Sequence, residues 1–287
     1  MSSSLPSGES AVDTSGTGVT AVEKRPPRAR AAGSVDLSVV IPAFNEASRL
    51  GETLQRVLPY LERRGRSFEV LVVDDGSADA TVEVASEYTH RGVWVLELSR
   101  NRGKGAALRH GVVASSGAKV LLCDADLSTP IEELEKLEPR LAEAKLVLGS
   151  RDVDGAQVEL HQPWHRELMG KVFNLLIRTL GFGDFRDTQC GFKLMDGAAA
   201  RDLFPALTVE RFAYDVELVW EAQRRGWPVV EVGVVWRDSP VSRVRPLADA
   251  PRMLRDVLRV RFGRRQSPAQ RVEAAPGAAG ASGRSRA

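Results

Sequence analysis

Cysteine is scarce in this chain: Cys123 and Cys190 are the only two in 287 residues, and they lie far apart. They make neither a disulfide framework nor a zinc signature. The four histidines (His90, His110, His161 and His165) show no metal-ligand spacing and read as structural or surface residues. Long apolar runs are missing too. Leu175-Leu176-Ile177 is broken by Arg178, and Val234-Val235-Trp236 closes another short run. Nothing approaches the roughly 18 residues of a spanning helix. The opening MSSSLPSGESAVDTSG lacks the apolar core of a signal peptide. A charge excess is also absent: 40 Lys+Arg stand against 38 Asp+Glu, a net +2. No broad field for nucleic acid results, so any anion site must be local. These absences set aside secreted, disulfide-rich and integral-membrane classes. The chain is expected in the cytosol, with reduced thiols.

Hydrophobic residues make up 43% and charged residues 27%, close to soluble globular averages. Arginine dominates the basic residues and Ala, Gly and Val abound, as the codon bias of a GC-rich genome produces. Residues 1–34 and 266–287 are rich in Ser, Gly, Ala and Pro and carry no hydrophobic period. They cannot bury enough apolar surface to offset ordering entropy, so two disordered tails are expected. One domain, 35–265, remains between them. Within it, short apolar runs alternate with helical patterns, which predicts an α/β fold with a mainly parallel sheet flanked by helices. Strands are expected at 37–44, 68–75, 93–98, 119–126, 145–150 and 228–236. Helices are expected over 48–64, from Asp79, over 103–116, over 130–144 with Pro130 in its first turn, and over 165–185, 212–226 and 249–265.

In an open parallel sheet, ligands bind beyond the carboxyl ends of the strands. Polar groups follow each early strand: Pro42-Ala43-Phe44-Asn45-Glu46, then Asp74-Asp75-Gly76-Ser77, Asn101-Arg102-Gly103-Lys104-Gly105, Asp124-Ala125-Asp126 and Gly149-Ser150-Arg151. Asp124 and Asp126 suit a hard divalent cation, Mg²⁺ or Mn²⁺, that also holds phosphate oxygens. A pair of turn aspartates before Pro130 is the plain alternative. Asp74 or Asp75 can accept from a nucleobase or ribose, or serve only the turn. The loop around Lys104 can cradle phosphate at a helix N-terminus, or its glycines merely permit a tight turn; it is neither a P-loop nor a dinucleotide fingerprint. Asp187-Thr188-Gln189-Cys190-Gly191-Phe192-Lys193 is an unusual heptapeptide ahead of an expected helix. Asp215 and Glu217 sit two apart on a helix, so at most one should face a site and the other should be solvated. Ser242-Arg243-Val244-Arg245 places two cations after the last strand.

The segments VVIPAFNE, VVDDGS, NRGKGAALRHG, DADLSTP, GSR, DTQCGFK, FAYDVEL and SRVRP run in that order from Val39 to about Arg261. Together they resemble a family 2 glycosyltransferase, of the polyprenyl-phosphate (dolichyl-phosphate) glucosyl- and mannosyltransferase branch. The resemblance implies a GT-A-like, Rossmann-related domain that binds a nucleotide sugar. Its nucleotide contacts fall on Pro42, Phe44, Glu46 and Asp75. Phe44 stands where many relatives have Tyr. The metal and diphosphate motif falls on Asp124 and Asp126, with Lys104 nearby and Ser242 and Arg243 matching a Ser-Lys/Arg pair near the phosphates. Mannosyl relatives carry Gln two residues past the second Asp. Ser128 stands there, which favours a UDP-sugar over GDP-mannose. Arg151 and Arg166 fall where mannosyl relatives hold the lipid phosphate, and a family Ser beyond the second Arg is replaced by Gly170.

The implied chemistry is inverting transfer of a sugar, UDP-glucose first, to a polyprenyl phosphate. A metal plus cations stabilise the departing diphosphate, with Asp126 in the catalytic set. A phosphate monoester is already anionic near neutrality and needs no base. A hydroxyl acceptor would need a carboxylate base, with Asp187 or Asp215 as candidates. VLLCDADLST also nearly spells a haloacid-dehalogenase phosphatase motif, though mid-chain and with Ser128 at the Thr position. A binder that kept the fold without catalysis is a third alternative. The lipid acceptor requires peripheral contact with an anionic membrane at its inner face. Lys171–Phe185 and the basic stretch Arg252–Arg265 are the segments expected to supply it, and an integral-membrane partner would use the product.

Overall fold

The computed structural model describes residues 31–160, 170, 174–183, 185–237 and 246–263. Its centre is a seven-stranded sheet in the order β3-β2-β1-β4-β7-β5-β8. The strands are β1 (Val35–Ala43), β2 (Phe68–Asp74), β3 (Val93–Glu97), β4 (Gly117–Leu122), β5 (Leu146–Ser150), β7 (Lys193–Asp196) and β8 (Val229–Gly233). A parallel pair, β6 (Gln157–Leu160) with β9 (Val235–Arg237), forms a second small sheet. Val39, Val40 and Ile41 are fully buried, as expected for a strand covered on both faces, whose apolar run is continuous rather than alternating.

The helices are α1 (Ala47–Arg63), α2 (Thr81–Ser86), α3 (Lys104–Ala114), α4 (Leu134–Leu137), α5 (174–179), α6 (Gly197–Leu203), α7 (Tyr214–Arg224) and α8 (Pro246–Phe262). One core layer packs α1, α2 and α4 on the sheet through Leu50, Leu54, Leu58 and Leu134. The other packs α3, α6, α7 and α8 through Leu108, Leu203, Leu218 and Val257. Strand order reverses at β1: β2 and β3 lie to one side and β4 to the other. The crevice past Ala43 and Leu122 is therefore the topological switch point, where such sheets bind ligands.

Four expectations change. The helix expected over 130–144 is broken into a 3₁₀ turn (Ile131–Glu133), the single turn α4 and a second 3₁₀ turn (Glu138–Ala142), with Pro139 removing an amide donor in its middle. The heptapeptide 187–193 leads into strand β7, not a helix. That strand runs antiparallel to both neighbours, β4 and β5. It was illegible because four residues carry no usable period; Leu194 and Met195 bury themselves in opposite core layers. The expected last strand splits into β8 and β9. Glu217 is fully buried, not solvated: it accepts from the Thr208 and Val209 amides at 2.8 and 2.7 Å.

Candidate active site

The loops after β1 and β2 are laced together. Asn45 adopts a left-handed φ of 55°, which Asn tolerates better than most residues. Its amide donates to Ser77 Oγ at 2.8 Å, its Oδ1 accepts from the Ala78 amide at 2.8 Å, and the Glu46 amide donates to Thr81 Oγ1 at 2.8 Å. Asp79 Oδ1 accepts from the Thr81 amide at 3.1 Å, where α2 begins. Pro42 and Phe44 remain half-buried at the crevice, while Glu46 is buried. Asp75 accepts from the Arg102 and Gly103 amides at 2.8 and 2.7 Å. Burial raises its carboxyl above the ordinary range, and those two amides oppose the shift. The amides of 102 and 103 are thus committed to Asp75 and are not open to a ligand. Gly103, at φ 112°, caps α3 and aims Lys104 inward.

Asp124 and Asp126 follow β4 and stay half-buried. Lys104 Nζ lies 2.6 Å from Asp124 Oδ1. Desolvation works against charge on both, but the pair overcomes it: Asp124 is held below the usual carboxylate range by Lys104, and Lys104 above the usual lysine range by Asp124 and Asp215. Asp126 Oδ1 accepts from the Ser128 amide and hydroxyl at 3.0 and 2.9 Å. Its Oδ2 faces Arg49 Nη1 at 3.6 Å. A Cβ at Gly191 would collide with the Asp124 carboxylate, so only glycine lets that turn approach. The donor set is two carboxylates of hard oxygen, which fits a hard dication completed by phosphate oxygens and water. Among the described residues, no group of three or more His, Cys, Asp or Glu side chains is placed to hold a metal alone.

Two buried ion pairs complete the site. Asp187, with no side-chain exposure, takes Arg151 Nε and Nη2 at 2.6 and 2.9 Å and the Arg151 amide at 3.1 Å. Arg151 also stacks over Trp236, 5.2 Å from the ring centroid. Burial pushes Asp187 up, but Arg151 holds it below the ordinary range. Lys193, fully buried, bonds to Asp215 and donates to the Cys190 carbonyl at 2.5 Å. Burial leaves the Asp215 carboxyl above its usual value although Lys193 and Lys104 both lower it. Cys123 and Cys190 are buried free thiols, pushed up by that burial. Asp75, Lys104, Asp124, Asp126, Arg151, Asp187 and Asp215 therefore gather along one edge with Pro42, Phe44 and Glu46. Arg166, Ser242 and Arg243 lie outside the described residues. Sequence reasoning missed Arg49, Lys193 and Trp236. Lys193 has no signal beyond its place in the heptapeptide, and no spacing marks Arg49 or Trp236.

A sheet covered by helices on both faces thus carries carboxylates, cations and the half-buried Phe44 at its switch point, the place where open α/β sheets bind ligands. Residues 38–204 match the model of Glycosyl transferase family 2, and the chain belongs to that family. It is 39% identical over 242 residues to a mouse dolichyl-phosphate beta-glucosyltransferase, covering 79% of this chain and 75% of that protein. The counterpart from Dictyostelium discoideum is 33% identical over 245 residues, at 80% and 75%. Among solved structures, glucosyl-3-phosphoglycerate synthase of Mycobacterium tuberculosis, crystallised with Mn²⁺, UDP-glucose and phosphoglyceric acid, superposes with a TM-score of 0.59 at 21% identity, covering 81% of each chain. Mannosyl-3-phosphoglycerate synthase from Rubrobacter xylanophilus gives 0.60 at 21%, covering 82% of this chain and 77% of that one. These structural likenesses establish the fold.

Proposed function

We propose that this enzyme transfers glucose from UDP-glucose to a polyprenyl phosphate with inversion, giving a β-linked lipid phosphate sugar. The acceptor class rests on one observation: both carboxylates able to serve as a base are spent in buried ion pairs. Asp187 is bidentate to Arg151, and Asp215 is sealed against Lys193 with 4% exposure. A hydroxyl acceptor would need one of them free. A phosphate monoester, with its second pKa near 6, needs neither, and Arg151 offers it a guanidinium. The names of the curated relatives agree with a lipid-phosphate acceptor.

Pro42, Phe44, Glu46 and Asp75 would hold the nucleoside, and Lys104 the diphosphate. Asp124 and Asp126 would hold the dication, Mg²⁺ or Mn²⁺, which supplies charge stabilisation to the leaving diphosphate. Arg151, oriented by Asp187 and Trp236, would receive the acceptor phosphate, with Arg166 as a second cation. Ser242 and Arg243 would contact the diphosphate.

No described helix is long and apolar enough to cross a membrane. The enzyme would reach its lipid through α8, where Leu254, Leu258 and Phe262 are 38%, 39% and 69% exposed at four-residue spacing. Arg252, Arg255 and Arg259 are exposed on the same helix. Arg261 is not part of that face: it donates to the Leu180 carbonyl at 2.8 Å and stacks on Trp220 at 5.1 Å. Leu175 on α5 is 60% exposed and adds to the apolar surface. An apolar stripe flanked by arginines suits the anionic inner face of a membrane, each cation adding about 1 kcal/mol.

Purified protein given UDP-glucose, UDP-GlcNAc, UDP-GalNAc or GDP-mannose tests the reading, with polyprenyl phosphate or dephosphorylated polyprenol as acceptor. Lipid-linked glucose should form from UDP-glucose with the phosphate alone. Equal turnover of the free alcohol would refute it.

A further inference from the structure

Arg49 stands in the first turn of α1, where the helix dipole disfavours a cation, and that turn holds no acidic residue to offset it. Its guanidinium nonetheless turns back into the crevice, with a side chain only 18% exposed. Nη2 donates to Glu46 Oε1 at 2.7 Å, Nε pairs with the other oxygen of the same carboxylate, and Nη1 stands 3.6 Å from Asp126 Oδ2. One side chain thus spans the nucleoside end of the site and the cation end. Lys104 stands against the other carboxylate of the pair, Asp124.

We propose that Arg49 is a donor-binding residue: it neutralises Asp126 in the free enzyme and passes to the diphosphate when the nucleotide sugar enters. The inference rests on the proposed nucleotide-sugar reading and deepens it. Glu46, Asp124 and Asp126 line the crevice with carboxylates, and Arg49 and Lys104 stand directly against them. A dication held by Asp126 would meet the like charge of the Arg49 guanidinium, and an anionic ligand would relieve that repulsion. The diphosphate is that anion. Glu46 cannot take its place, because its carboxylate is already bidentate to the same guanidinium. The consequence is ordered charge: the bare dication binds weakly, and the dication with its diphosphate binds well. An arginine fork is suited to this exchange, since it keeps two donors on Glu46 while presenting the third nitrogen to phosphate.

The test uses the full-length protein and its Arg49→Gln and Arg49→Lys variants, with thermal melting to confirm folding. Mn²⁺ binding alone is followed by electron paramagnetic resonance; uridine, UMP and UDP affinities are followed by NMR titration and calorimetry. Arg49→Gln should bind Mn²⁺ alone more tightly than the unaltered protein, because the competing cation is gone. It should bind UDP about 10- to 100-fold more weakly, the scale of one charge-assisted bond, and uridine almost unchanged. Arg49→Lys keeps the charge but cannot fork between Glu46 and phosphate, so its UDP affinity should fall between those of the unaltered protein and Arg49→Gln. It carries the test if the glutamine variant does not fold, and UDP affinity equal to that of the unaltered protein would then overturn the inference. Equal weakening of uridine and UDP would overturn the inference, assigning Arg49 to holding Glu46 alone. Unchanged Mn²⁺ and UDP affinities would overturn it as well. None of these measurements uses the lipid acceptor, so failure of lipid-phosphate transfer leaves them standing.

Discussion

Replacing Asp187 with asparagine leaves the Arg151 guanidinium in place but takes away its counter-charge. The native carboxylate has no exposure, and it binds two guanidinium nitrogens and the amides of Arg151 and Gln189. Removing one partner of a buried pair costs about 3–5 kcal/mol, because the other charge remains buried. The Arg151 side chain keeps 26% exposure and asparagine still offers one acceptor, so the low end, about 3 kcal/mol, applies. For a domain of this size that lowers Tm by about 6–12 °C. The pH dependence has a definite sign. Asp187 is held below its unfolded value, so its stabilisation is complete above about pH 3.9 and fades as pH falls through the folded value. The gap between native protein and variant should be flat from pH 5 to 8 and close at lower pH. Urea unfolding across that range measures it. Asp187→Asn should also raise KM for the lipid phosphate more than KM for UDP-glucose, since Arg151 loses its orientation. The pair Arg151→Met with Asp187→Leu should recover most of the stability and none of the acceptor affinity. A gap under about 0.5 kcal/mol at pH 7, ordinary for surface changes, would refute the assignment, as would a gap that widens in acid.

Asp126→Asn should abolish most transfer without unfolding the protein, and EDTA should silence the native enzyme until Mg²⁺ or Mn²⁺ is returned; full activity in excess chelator would contradict the carboxylate assignment. Gly191→Ala forces a methyl into the Asp124 carboxylate, and displacement of that group by about 1 Å should cost roughly 100-fold in kcat/KM, read by steady-state kinetics. Cosedimentation with anionic vesicles should weaken in high salt, and weaken further when Leu258 and Phe262 become Gln or Arg255 and Arg259 become Gln; Arg261→Gln should instead lower Tm, because that side chain packs inside.

The sheet and the site were legible to different depths. Strands β1 to β5 announced themselves because each holds at least three consecutive apolar residues followed by polar ones. The carboxyl-end rule then placed Asp75, Asp124 and Asp126 together from sequence alone. Strand β7 was hidden, since its four residues are too few for a period and its antiparallel course breaks the βαβ rhythm. Asp187 and Asp215 were visible as carboxylates, but their partners were not. Lys193 lies 22 residues from Asp215, and Asp187 lies 36 from Arg151. Only the sheet order brings those ends together. Arg49 is illegible for a similar reason: in sequence it is one more arginine in an arginine-rich chain, and its approach to Asp126 comes from a distant part of the chain.

The heptapeptide Asp187–Lys193 shows what so unusual a run is for. Its first residue fixes Arg151 and, through its own amide, meets Glu231 Oε1 at 2.8 Å on β8. Its fifth, Gly191, is the only side chain small enough to stand against Asp124. Its last, Lys193, opens β7 and binds Asp215 from the start of α7 while returning a bond to the Cys190 carbonyl. A buried lysine is expensive unless paired and hydrogen-bonded, so this one holds both the turn and the helix in a single position. Seven residues thereby join the cation that would meet the acceptor to the carboxylate that would meet the donor. In-line displacement demands that those two ends keep a fixed separation, and near-attack geometry tolerates little error. A flexible loop of the same length would bring the same side chains to the crevice but would leave the distance between them free. The two buried ion pairs remove that freedom, and in doing so they withdraw both carboxylates from use as a base.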